Sequence, residues 1–132
     1  MRALVLVLEV VAPVFLIVAA LHLLLGLNAD ALLGAKVSAE VAAEPSLDSQ
    51  NRFYGVAFAL YGVVLYICAT DLRRFEPIFK AAMWVFFLGG IARLVSCAIY
   101  GAPALPVIAL TVIELVVSPI LLAWHARIKN NA

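Results

Sequence analysis

The chain has 132 residues, 67% of them hydrophobic and only 13% charged, with a mean hydropathy of +1.14 and a net charge of +1. Soluble domains hold roughly 45–50% apolar and about 25% charged residues, so the composition excludes that class and leaves an integral membrane protein. The near-neutral balance, with no basic tract and no Gly-rich phosphate loop, argues against nucleic-acid partners and nucleotide chemistry, and the length suits one domain over residues 1–132.

The first apolar run covers residues 3–25 and is interrupted by Glu9, Pro13 and His22. Arg2 before an apolar run resembles the start of a secretory signal, with Val37–Ser38–Ala39 as small residues for cleavage. A signal's apolar core is about 7–15 residues, however, and this run is longer, so it is read as a retained spanning helix. Pro13 cannot donate to the carbonyl of Glu9, which leaves a free acceptor where an acidic side chain also sits. Backbone and side chain of that kind are tolerated at membrane depth against protein, so this face is expected to pack inward.

Residues 26–51 form the one long polar segment and are read as an outer loop. Gly26, Asn28, Asp30, Gly34 and Pro45 punctuate it, and residues 37–43 fit a short interfacial helix. The second run, 52–70, has Asp48 or Ser49 as its expected cap. Gly55, Ala59 and Gly62 make a small-residue stripe that allows close helix approach. A charged hinge with Arg73, Arg74 and Lys80 leads into the third run, 79–100. After the turn Gly101–Ala102–Pro103, the fourth run covers 104–126, with Pro106 suited to its first turn. The fold class is thus all-α, a four-helix integral membrane bundle. Arg2, the hinge bases, and Arg127 with Lys129 fall on one side, so the positive-inside rule makes both termini cytoplasmic.

A guanidinium in the middle of a spanning run costs on the order of 2.5–3.5 kcal/mol and needs a partner. Arg93 lies about 10 Å below the outer boundary and Glu114 about 15 Å, at about 1.5 Å of rise per residue. An extended Arg side chain covers that difference, and the tight turn makes the two helices antiparallel neighbours. Thr111, Glu114 and Ser118 share one stripe of the fourth helix; Gly89, Arg93 and Ser96 share one of the third. With Asp48, Asn51, Arg52 and Tyr54 at the rim, these residues suggest a polar pocket that opens outward between the second, third and fourth helices. The bland reading is that Arg93 and Glu114 only staple two helices together.

Cys68 and Cys97 have no metal or redox spacing and fall near opposite faces, too far apart to bridge. His22 and His125 are likewise at opposite faces and are read as interfacial residues. No metal-ligand set, cofactor motif or catalytic constellation is legible.

Three motifs carry a resemblance: Leu47–Asp48–Ser49–Gln50–Asn51–Arg52–Phe53–Tyr54–Gly55, Phe87–Leu88–Gly89–Gly90–Ile91–Ala92–Arg93–Leu94–Val95–Ser96, and Glu114–Leu115–Val116–Val117–Ser118–Pro119. Together they resemble a family of small bacterial four-helix membrane proteins known as a domain of unknown function. The resemblance implies a multi-pass bundle in the cell inner membrane and recurrent polar positions at Asp48, Arg52, Arg93 and Glu114. It implies no activity.

Function is expected from the polar interior. The first reading is a non-enzymatic module whose partners are the lipid bilayer and a small amphiphile, a lipid, a second copy or a partner membrane protein. The binding residues would be Arg93, Glu114, Arg52, Asp48, Asn51, Tyr54 and Ser118. The second reading is a proton-coupled transporter that uses Glu9 and Glu114. It is similar to the small multidrug-resistance exporters in size and in its first-helix acid, though the long loop and the Arg93 core are foreign to them. The third is an intramembrane lipid isomerase with Glu114 as acid/base and Tyr54 and Arg93 as orienting groups.

Overall fold

The computed structural model describes residues 1–130. Spacings of four, four, three and four residues put Leu4, Leu8, Ala12, Phe15 and Ala19 on one face of a helix, and that stripe is what α1 (Arg2–Leu25) buries. Glu9 follows Leu8 by about 100° around the axis and is exposed, among exposed Leu6 and Val10. The expectation that this face packs inward is therefore corrected: the aliphatic stripe claims the interior, and the acid is left outside.

Gly26 ends α1 at φ +57, a left-handed conformation that favours glycine, and its N–H donates to the His22 carbonyl at 2.9 Å. Two single-turn helices follow, α2 (Asn28–Ala31) and α3 (Ala39–Ala42), the second capped by Ser38 Oγ, which accepts from the Val41 N–H. The next helix, α4 (Pro45–Ala57), starts at Pro45, where the sequence reading puts its start near Arg52. Pro45 occupies the first turn, where its missing N–H is no loss. Glu44 is the cap, and its carboxylate accepts from Leu47 N at 2.6 Å and Ser46 N at 3.2 Å. Those two backbone bonds, Leu47 first, hold the Glu44 carboxyl below its ordinary value of 4.5. Asp48, expected as a cap, bonds to Arg52 instead.

A single residue, Phe58, separates α4 from α5 (Ala59–Thr70). Its N–H is shared between the Tyr54 and Gly55 carbonyls, and its own carbonyl accepts from Tyr61 N, so the helix tightens for one turn without breaking. The junction puts the Phe58 ring 5.2 Å from Phe15 and 5.5 Å from Tyr61, and Phe86 closes the group at 5.3 Å from Phe15. At Gly62 a Cβ would come within 2.8 Å of the Ala12 carbonyl oxygen, so only glycine lets α1 and α5 approach so closely.

In the hinge, Asp71 Oδ1 accepts from Arg74 N and the Asp71 carbonyl accepts from Phe75 N. Then comes α6 (Glu76–Tyr100), a turn at Gly101 (φ +89), and α7 (Leu105–Asn130). The first helix packs along α4 and α5, α6 packs along α7, and the two hairpins meet mainly between α5 and α6. A shared core of Leu4, Leu8, Leu65, Cys68, Leu72, Phe79, Met83 and Leu121 fills the hinge end. Among the described residues no strand forms.

Four stretches, Arg2–Leu25, Pro45–Thr70, Glu76–Tyr100 and Leu105–Asn130, are long and apolar enough to cross a membrane. At about 1.5 Å per residue they span at least about 36 Å, beyond the roughly 30 Å of bilayer hydrocarbon. Their outer faces carry rows of exposed Leu, Ile, Val and Phe, a surface that suits lipid and not water.

Candidate functional site

The α7 stripe that faces the bundle is Thr111, Glu114, Ser118, Leu121 and His125, all buried. Four of the five are polar, so the structure must answer for each. Thr111 Oγ1 donates back to the Val107 carbonyl at 2.9 Å, an internal solution common for hydroxyls in helices. The carboxylate of Glu114 receives Arg93 Nε at 2.9 Å across the α6–α7 seam. Ser118 Oγ is buried one turn further on and has no hydrogen-bond partner.

The glycine pair ahead of Arg93 has two different jobs. A Cβ on Gly90 would come within 2.8 Å of Leu115 Cγ and 3.1 Å of Glu114 Cβ, so Gly90 is the seat on which α7 rests. A Cβ on Gly89 would meet nothing closer than Glu114 Oε2 at 3.8 Å, which is ordinary contact. The two charges are unequally covered: the Glu114 side chain is 7% exposed and that of Arg93 34%. Only Nε of the guanidinium is bonded to the carboxylate, and its other donors make no hydrogen bond among the described residues.

The rim residues do not join this pair. Arg52 Nε donates to Asp48 Oδ2 at 2.7 Å within α4, and its Nη1 donates to the Leu23 carbonyl at the end of α1. Asn51 Nδ2 donates to Asp30 Oδ2 at 2.6 Å, and Asp30 Oδ1 lies 3.4 Å from His22 Nε2. Gly26 and Gly55 make room for this clamp: a Cβ on Gly26 would collide with Asp48 Oδ1 and one on Gly55 with the His22 ring. Asp48, Asn51 and Arg52 therefore lock α4 onto α1 and α2. Tyr54 points away, 64% exposed, beside Phe53. The polar residues thus form two groups, a clamp on the first hairpin and an Arg93–Glu114–Ser118 group on the second. Glu9 belongs to neither and lines a shallow cavity with Met1, Arg2, Val5 and Leu6.

A model of the protein family described as Domain of unknown function (DUF4345) matches residues 3–125. The chain belongs to the DUF4345 family. That match takes in both hairpins and every polar residue of the two groups. Comparison with curated proteins and with solved structures gives no match.

The sequence reading missed the opposite end of the α7 stripe. His125, read there as interfacial, is buried against Phe79 with ring centroids 5.4 Å apart. Lys129, one turn beyond, donates to both oxygens of Glu76 at 3.0 and 3.1 Å, and Lys80 bridges the same carboxylate at 2.6 Å. The signal was present: His125 lies seven residues after Ser118 and eleven after Glu114, two and three turns along one face.

Proposed function

We propose that this DUF4345 protein is a non-enzymatic, multi-pass inner-membrane module that holds the headgroup of a small acidic amphiphile at Arg93. The observation that carries the reading is the unequal covering of the ion pair. Glu114 neutralises the guanidinium from inside the bundle, while the other N–H donors stay uncommitted on a side chain that is one-third exposed, on α6, the least covered of the four spans. Exposed Leu88, Ile91, Leu94 and Val95 cover other sides of the same helix, a surface that suits the acyl or alkyl chains around it. Donors stranded in such surroundings are satisfied by a carboxylate or phosphate oxygen, the acceptors that a guanidinium fork binds most strongly.

The positive-inside rule supports placing the hinge end, with Arg2, Arg73, Arg74, Lys80, Arg127 and Lys129, in the cytoplasm. Arg93 is then about 10 Å below the outer boundary, within reach of outer-leaflet headgroups. Proton-coupled transport by Glu9 and Glu114 draws less support. The first is exposed near the start of α1 and the second is buried in the other hairpin, so one path does not serve both. An isomerase built on Glu114 and Tyr54 meets the same difficulty, since Tyr54 is exposed on the first hairpin.

The test is the lipid and amphiphile content that co-purifies with the protein in neutral detergent, read by mass spectrometry. Wild type is expected to enrich an acidic amphiphile, and R93M/E114L to lose that enrichment by about tenfold, the effect of one charge-assisted contact. An unchanged profile in the double variant would overturn the proposal. A changed oligomeric state with an unchanged lipid profile would transfer the site to a partner helix.

A further inference from the structure

We infer that the hinge end carries a second site, independent of Arg93, which takes an anionic phosphate group. A cavity of about 300 Å³ opens there, lined by Met1, Arg73, Glu76, His125 and Lys129. These residues arrive from α1, the hinge, the start of α6 and the end of α7, so the whole bundle has to assemble before the cavity exists.

Three observations converge on an anion. His125 is only 2% exposed, lines the cavity, and its Nδ1 has no hydrogen-bond partner. A buried ring nitrogen left unpaired is costly, and a group that enters the cavity is what can reach it. Next, the lining side chains hold two cations, Arg73 and Lys129, against one carboxylate. Glu76 is already neutralised by Lys80 and Lys129 together. Lastly, the exposed Arg73 makes no ion pair among the described residues, so its full fork of donors is available.

A phosphate suits this set better than a carboxylate does. It offers three or more acceptor oxygens in different directions, one for the guanidinium, one for the ammonium and one for the imidazole N–H. The cavity lies where α6 begins and α7 ends, so in a bilayer spanned by these helices a phospholipid phosphate is one source. A soluble phosphate has the same chemistry, and the experiment separates the two sources.

The full chain is held in dodecyl maltoside micelles, which carry no phosphate, and the ¹⁵N resonances of the His125 imidazole are followed. In one arm phosphatidylglycerol is added to the micelles; in the other, inorganic phosphate is added to the buffer. A saturable shift in the first arm assigns the site to a lipid headgroup, and one in the second alone assigns it to a soluble phosphate. R73Q, at an exposed and unpaired position, should leave folding intact and weaken the response by about tenfold. K129Q gives the same reading should R73Q fail to purify. A His125 resonance that moves in neither arm, or moves equally in wild type and R73Q, overturns the inference.

Discussion

Replacing Arg93 by Met, Glu114 by Leu, and both together separates a buried ion pair from a pair of independent polar residues. In R93M the Glu114 carboxylate, 7% exposed, keeps its place in the interior without its donor. Removing one partner from a buried pair costs about 3–5 kcal/mol, because the other charge is left uncompensated. In E114L the survivor is Arg93, one-third exposed and able to swing its guanidinium outward, so the loss is closer to that of one charged hydrogen bond, about 1.5–3 kcal/mol. The double variant removes both charges and refills the seam with apolar atoms, which for buried pairs is about neutral or stabilising. The expected order of stability is therefore wild type and R93M/E114L together, then E114L, then R93M. Sodium dodecyl sulfate titration from a neutral maltoside, followed through Trp84 and Trp124 fluorescence, measures it. A double variant as unstable as R93M would mean that the two side chains are held by other partners and not by each other.

Gly89 and Gly62 should behave differently. G89A, whose Cβ meets only ordinary contact, should be neutral or stabilising by up to about 1 kcal/mol through helix propensity, while G62A, driven against the Ala12 carbonyl, should lose about 1–3 kcal/mol in the same titration. F58A should remove the ring that joins α1 and α5 at the helix junction and lower stability by about 2–3 kcal/mol, with helix content unchanged by circular dichroism. The Glu44 cap should be acid-sensitive: a carboxyl held below 4.5 contributes its full stabilisation above that pH and loses it as pH falls through the lowered value. Protection of the Ser46 and Leu47 amides, relative to intrinsic exchange at each pH, should therefore fall below about pH 4.5 in wild type and be low at every pH in E44A.

Arg93 and Glu114 were legible as neighbours because two constraints act on the sequence at once. A charge in an apolar run demands a partner, and helical rise through a tight turn leaves few positions that can supply it. The small-residue stripe was legible for a similar reason, since Gly55 and Gly62 have few other uses in a spanning helix. What failed was direction. Asp48, Asn51 and Arg52 lie at the right depth for a pocket with Arg93, but depth does not say which neighbour a helix face meets, and Asp30 and the Leu23 carbonyl claim them first. Glu9 failed the same way, because in a helix apolar on nearly every side an aliphatic stripe competes with the acid for the interior. The start of α4 at Pro45 depends on a Glu44 cap inside a polar stretch with no hydrophobic period to mark it. His125 could have been found by extending the Glu114–Ser118 stripe to its end.

The proposed headgroup site depends on the Arg93 donors that Glu114 leaves uncommitted. The most direct measurement is the ¹⁵Nη resonance of Arg93 in dodecyl maltoside micelles, titrated with an acidic amphiphile and, separately, with a neutral one of equal chain length. A headgroup site at Arg93 predicts a saturable shift with the acidic amphiphile alone, while the Nε resonance, held by Glu114, changes little. Nη resonances that ignore the headgroup, or follow both amphiphiles alike, would contradict it.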